Sequence, residues 1–188
     1  MRIFLLIGGL VFFSSFLRQD GKDVILWNEA RLLTWDDFKG KPQKRFAAAS
    51  TAYDILKDVK KGEGNKATVS VRAVFFCKTS WKDSNWAEET ILAHEQKHFD
   101  IVELFSRKLR KLLQNAVYKN YKRVEEKADS LYAIIDKQMD VYHDKYDDET
   151  NGSMNGEKQR EWNKKIMAEI KTLEQYKSPD FTLTYNAK

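Results

Sequence analysis

Two of the three histidines, His94 and His98, stand four residues apart in "ILAHEQKHFDIVELF" (Ile91–Phe105), with Glu95 directly after the first. The apolar residues around them recur at helical steps, so both imidazoles fall inside an apolar stripe. A neutral ring there needs hydrogen-bond partners or a metal ion. Side chains at i and i+4 project from one helix face a turn apart, so the two rings can grip one ion. Glu95 is rotated about 100° from His94. Its carboxylate then lies beside the ion, where it can take a proton from a water. The pattern H-E-x-x-H is the signature of metal-assisted hydrolysis, and imidazole with carboxylate on a helix suits Zn2+. Lys97 is a charged residue between the glutamate and the second histidine, uncommon in zinc peptidases, and is expected to point to solvent.

A hydrolytic zinc site takes a third protein ligand and keeps its fourth position for water. If the motif helix pairs antiparallel with the next helix, the facing residues are Asp140, His143, Asp144 and Asp147. His143 is nearest the apolar side, beside Met139 and Tyr142, and Asp147 is further round. Asp100 and Glu103 are carried off the histidine face by helical rotation. Cys77, the single cysteine, cannot form an internal disulfide and reads as a small buried hydrophobe.

The elements that must hold these groups follow from periodicity. "ATVSVRAVFFC" alternates, with Ala67, Val69, Val71, Ala73, Phe75 and Cys77 on one face, which predicts a half-buried strand. "KKGEGNK" is a turn, and Phe46–Val59 is then the antiparallel partner. Val24–Trp27 predicts a short strand. The motif helix is expected over about Trp86–Ala116, capped by Ser84 or Asn85 with Glu88 in a capping-box position. A turn near Asn115–Asn120 leads to a second helix over about Arg123–Tyr146. "EKQREWNKKIMAEIKTLEQY" predicts a third, ended before Pro179, and "FTLTY" a last edge strand. The fold class is therefore α+β: a small antiparallel sheet, then a long antiparallel helix pair and a third C-terminal helix.

The chain has 188 residues, enough for one domain over 20–188 after an N-terminal segment. Arg2 followed by the apolar run Ile3–Phe13 resembles a secretory leader, so residues 1–19 are read as a signal peptide or N-terminal anchor. This makes the protein exported, periplasmic or extracellular, and touching a membrane only through that segment. The net charge is +5, but Lys and Arg are interspersed with acids, which argues against nucleic acid as a partner. "RKLRKLL" (Arg107–Leu113) and "YKNYKR" (Tyr118–Arg123) read as solvated helix faces.

The blocks "LTWDDFKGKP…AAASTAYDI", Ser80–Trp81, "AHEQKHFDIVEL" and "YDDET…Q..W" resemble the bacterial envelope proteins grouped as domain of unknown function 922. The resemblance covers most of the chain after the leader. It implies a zincin-like, zinc-dependent peptidase with His94 and His98 as ligands and Glu95 catalytic. Its Tyr146 and Asp147 match, which favours Asp147 over His143 as third ligand. The family pattern carries a histidine shortly after the Tyr-Asp-x-Glu-Thr block, where this chain has Asn151, Gly152 and Ser153. In this reading Tyr146, or another nearby tyrosine, donates to the oxyanion. The substrate is a peptide or protein that pairs with the edge of the Ala67–Cys77 strand. Trp81 and Trp86 either wall the cleft or belong to the core. The rival reading is a non-catalytic envelope protein with a structural or degenerate metal site that binds a protein partner.

Overall fold

The computed structural model describes residues 23–43 and 47–186. The leader assigned to residues 1–19 lies outside them. Strand β4 (Lys66–Phe76) is the axis of the sheet. Ala67, Val69, Val71, Ala73 and Phe75 are almost fully buried, as their alternation predicts. Strand β3 (Tyr53–Lys61) pairs antiparallel along one edge of β4, from Tyr53 opposite Phe75 to Lys61 opposite Ala67. Gly64 makes the connecting turn with φ +60°, a left-handed conformation in which glycine is favoured. The other edge of β4 is shared by β1 (Val24–Leu26) and β6 (Asp180–Thr184), both antiparallel. Both edges of β4 are thus occupied, which corrects the expectation that β4 offers an edge to a peptide. On the far side β3 is the outer strand.

The stretch expected as one strand from Phe46 to Val59 is divided. Phe46 lies outside the described residues. Ala49–Ser50 (β2) leaves the sheet to pair with Trp81–Lys82 (β5). The break falls at Thr51 and Ala52, where the Ala52 amide donates to Ser80 Oγ at 2.9 Å and Thr51 turns toward the motif helix.

That helix, α1 (Glu89–Gln114), starts three residues later than expected. Asp83 is the reason: its side chain and carbonyl accept from the amides of Asn85 and Trp86, forming a turn instead of a first helical turn. Glu88 therefore occupies the cap position, with no side-chain capping bond. Trp86 is left 60% exposed, whereas Trp81 is in the core. From His94 onward α1 is enclosed by β4, α2 and α3, so it is buried on nearly every side.

Helix α2 (Tyr121–Thr150) outlasts its expected end by four residues. It is capped by Asn120, whose side chain accepts from the Arg123 amide at 3.0 Å. Asn151, Gly152 and Ser153 all take positive φ and turn the chain into α3 (Gly156–Thr172). Asn155 caps α3 by accepting from the Lys158 amide. The architecture is the expected α+β arrangement of a small antiparallel sheet with three helices. Among the described residues no helix is long and apolar enough to cross a membrane.

Arg107 and Arg110 overturn the reading of "RKLRKLL" as a solvated face: both are buried, while Lys108 and Lys111 point outward. Glu103 compensates them. It accepts from Arg107 Nε at 2.8 Å and from Arg110 Nη1 and Nη2 at 3.0 and 3.1 Å. Arg110 also donates to the carbonyls of Val71, Tyr176 and Lys177, tying α1 to the sheet and to the chain leading into β6.

Candidate metal centre

The antiparallel packing of α1 on α2 brings His94 and His98 against the last turns of α2. His94 Nε2 lies 3.1 Å and His98 Nε2 3.0 Å from the same atom, Asp147 Oδ1. The two Nε2 atoms are 3.2 Å apart. Two ligands on a tetrahedral zinc with bonds near 2.0–2.1 Å are about 3.3 Å apart. This nitrogen, nitrogen, oxygen triangle therefore fits a small divalent cation capping its face. Both histidines are buried, while the Asp147 side chain is about half exposed (49%), so the triangle is open toward solvent on the aspartate side.

The remaining ring atoms are held. His94 Nδ1 is 3.0 Å from Gln159 Oε1. The Gln159 amide donates to the Tyr146 hydroxyl at 2.7 Å, and that hydroxyl donates to the His94 carbonyl at 3.2 Å. The Tyr146 ring stacks on the His94 ring, centroids 4.6 Å apart. Tyr146 is fully buried with its hydroxyl aimed at backbone. It braces His94 from behind, rather than presenting an O–H to the open side as expected of an oxyanion donor.

His143 lies on the other flank. Its Nδ1 is 2.9 Å from His98 Nδ1, away from the triangle, and its ring stacks on Tyr53 at 4.5 Å. Of the four candidates for third ligand, Asp147 alone joins the two histidines in the group able to hold an ion. Asp140 and Asp144 sit earlier on α2, outside that group. Burial, then the charges of Asp136 and Asp144, hold the Asp140 pKa above the ordinary carboxylate value. Asp100 and Glu103 bind other partners, as helical rotation requires. Asp100 accepts from Trp27 Nε1 and Gln96 Nε2, both at 2.9 Å. It also pairs with Lys97, whose side chain is therefore neither free nor directed into solvent as expected.

Glu95 is buried beside the triangle, and its Oε2 accepts a 2.7 Å hydrogen bond from the Thr51 hydroxyl. Electrostatics follow the geometry. Burial works to lower the His98 pKa, but the hydrogen bond and charge of Asp147, with Glu95 behind, outweigh it and raise it. Burial works to raise the Asp147 pKa, and the hydrogen bonds from His94 and His98 drive it well below the carboxylate range. Burial, then the neighbouring His98, push the His143 pKa well below the ordinary imidazole value.

Thr51 and Gln159 carry roles that sequence reasoning did not assign. Both lie in quoted blocks of the family resemblance, Thr51 in "AAASTAYDI" and Gln159 in "Q..W". That was the available signal. Residues 31–156 match the family model described as bacterial protein of unknown function, DUF922. The chain belongs to the DUF922 family. No curated protein and no solved structure matches it. In this DUF922 protein the matched segment begins after β1 and runs to the first residue of α3. It includes both histidines, Glu95, Thr51, His143 and Asp147 and stops just short of Gln159.

Proposed function

We propose that this DUF922 protein is a zinc-dependent metallopeptidase of the bacterial cell envelope. The observation that carries the reading is the triangle of His94 Nε2, His98 Nε2 and Asp147 Oδ1, with edges of 3.0–3.2 Å and one open side. A zinc ion held there would supply Lewis acidity, polarising a carbonyl and bringing the pKa of a bound water to about 7. Glu95 is the general base. It takes a proton from the attacking water, the water oxygen bonds to the carbonyl carbon, the C–N bond breaks, and Glu95 returns the proton to the leaving amine. Thr51 orients Glu95 by donating to one of its oxygens, which leaves the other for the proton.

A peptide or protein substrate would approach from the Asp147 side, where the triangle is open. Export rests on Arg2 and the apolar run Ile3–Phe13. The second reading, a metal-binding envelope protein without hydrolytic activity, is favoured by one observation: the Tyr146 hydroxyl is committed to His94 and Gln159 and leaves the oxyanion without that donor.

The deciding experiment loads the full chain with zinc, measures bound metal, and assays peptide hydrolysis for the wild type and Glu95→Gln. Equal metal content with hydrolysis lowered at least about a hundredfold supports the peptidase, since general-base catalysis contributes that much or more. Equal turnover in both proteins refutes the role of Glu95. Stoichiometric zinc without hydrolysis in either selects the second reading.

A further inference from the structure

His143 is placed by the chain where a third ligand would be looked for, yet it touches the wrong side of His98. His98 turns Nε2 toward Asp147 and His94, and Nδ1 toward His143 Nδ1 at 2.9 Å. His143 Nε2 is buried and has no hydrogen-bond partner, although its residue is only 4% exposed. We infer that His143 is a positioning residue that fixes the metal-binding tautomer of His98 by accepting its Nδ1 proton, and that it is not itself a ligand. This inference rests on the metal site proposed above.

Proton bookkeeping supports it. A neutral imidazole carries one N–H, and the nitrogen that binds a metal must offer a lone pair. A cation in the triangle takes the Nε2 lone pairs of both His94 and His98, so each ring keeps its proton on Nδ1. For His94 that proton meets Gln159 Oε1, a carbonyl-type acceptor. For His98 it meets His143 Nδ1, and two ring nitrogens 2.9 Å apart share a single proton. His143 Nδ1 must then be the acceptor, which leaves its own proton on Nε2, the atom without a partner. One assignment thus covers both contacts of His98. Stacking of Tyr53 on His143 sets the plane of the accepting ring. Histidines that bind metals commonly donate their other N–H to a carboxylate or carbonyl, and such partners are worth roughly 10–100-fold in metal affinity. Here a neutral imidazole takes that place for His98.

The test uses the full chain with isotope-labelled histidine, loaded with NMR-active cadmium as the zinc probe. Expected are cadmium–nitrogen couplings at Nε2 of His94 and His98, none at either nitrogen of His143, and a His143 spectrum of the Nε2–H tautomer. Coupling to a His143 nitrogen, or a His143 proton on Nδ1, overturns the inference while leaving the metal site standing. Absence of coupling at all three histidines overturns both. Two variants provide an affinity readout. His143→Asn keeps a side-chain acceptor near the Nδ1 position and is expected to hold zinc within a few-fold of wild type. His143→Leu removes the acceptor and is expected to lose about tenfold or more. Equal affinities for the two variants, each showing the wild-type circular dichroism spectrum, would also overturn it.

Discussion

Asp147 holds more of the site together than its half-exposed position suggests. Its Oδ1 lies 3.1 Å from His94 Nε2 and 3.0 Å from His98 Nε2, and its hydrogen bond and charge lift the His98 pKa against burial. In the metal-free protein, Asp147→Asn is therefore expected to lower the His98 pKa, read from the imidazole resonances across a pH titration. The stability sign follows from linkage. A raised histidine pKa stabilises below the unfolded value and is lost as pH rises through the folded one. A depressed carboxylate stabilises above its unfolded value and is lost as pH falls. The pair's contribution is thus fully present between about pH 4 and pH 6.5. Denaturation midpoints of wild type and Asp147→Asn should differ most in that window. Gln159 acts at the same scale on His94. Gln159→Leu deletes the acceptor for Nδ1 and the donor to Tyr146, and zinc affinity measured against a chelating indicator should fall roughly 10–100-fold. The sequence shows His94, Glu95 and His98 as a site because their spacing is local and helical. Gln159, Thr51 and the turned-away His143 are not legible there. Their partners lie 65, 44 and 45 residues off, and their orientation depends on how three helices and β3 pack.

At the scale of elements, α1 carries two separate polar systems. One end presents the histidines, and further along Glu103 lies between Arg107 and Arg110 inside the core. The i, i+4 and i+7 spacing of these three was visible in the sequence. Surface runs of lysine and arginine look the same, and burial of the two arginines required knowing that β4 and the chain after α3 close over them. Glu103→Ala would leave the buried Arg110 guanidinium without a carboxylate partner, while Arg107 keeps Glu174 at 3.0 Å. The expected cost is about 3–5 kcal/mol, since breaking a buried pair leaves an uncompensated charge, and chemical denaturation reads it directly. The late start of α1 has a similar origin. Periodicity alone extends the helix back to Trp86, but Asp83 holds the amides of Asn85 and Trp86 in a turn of their own. The hairpin of β3 and β4 was the most legible part, because alternation and a glycine turn fix register without help from the rest of the chain.

For the whole molecule, metal and fold are coupled, because His94 and His98 belong to α1 and Asp147 to the far end of α2. Any ion that binds the native arrangement and not the unfolded chain stabilises by mass action, by about 2.7 kcal/mol at a hundredfold excess over Kd. Thermal unfolding with added zinc should therefore move to higher temperature, and Asp147→Asn should blunt the shift. The order of elements and their antiparallel contacts were readable from pattern and turn lengths, which is why the pairing of these helix ends could be anticipated. An ion shared by His98 and Asp147 would act as a clasp, pinning shut a loop of about 50 residues much as a disulfide restricts an unfolded chain. A chain fastened in this way would resist digestion by neighbouring proteases until a chelator or acid released it.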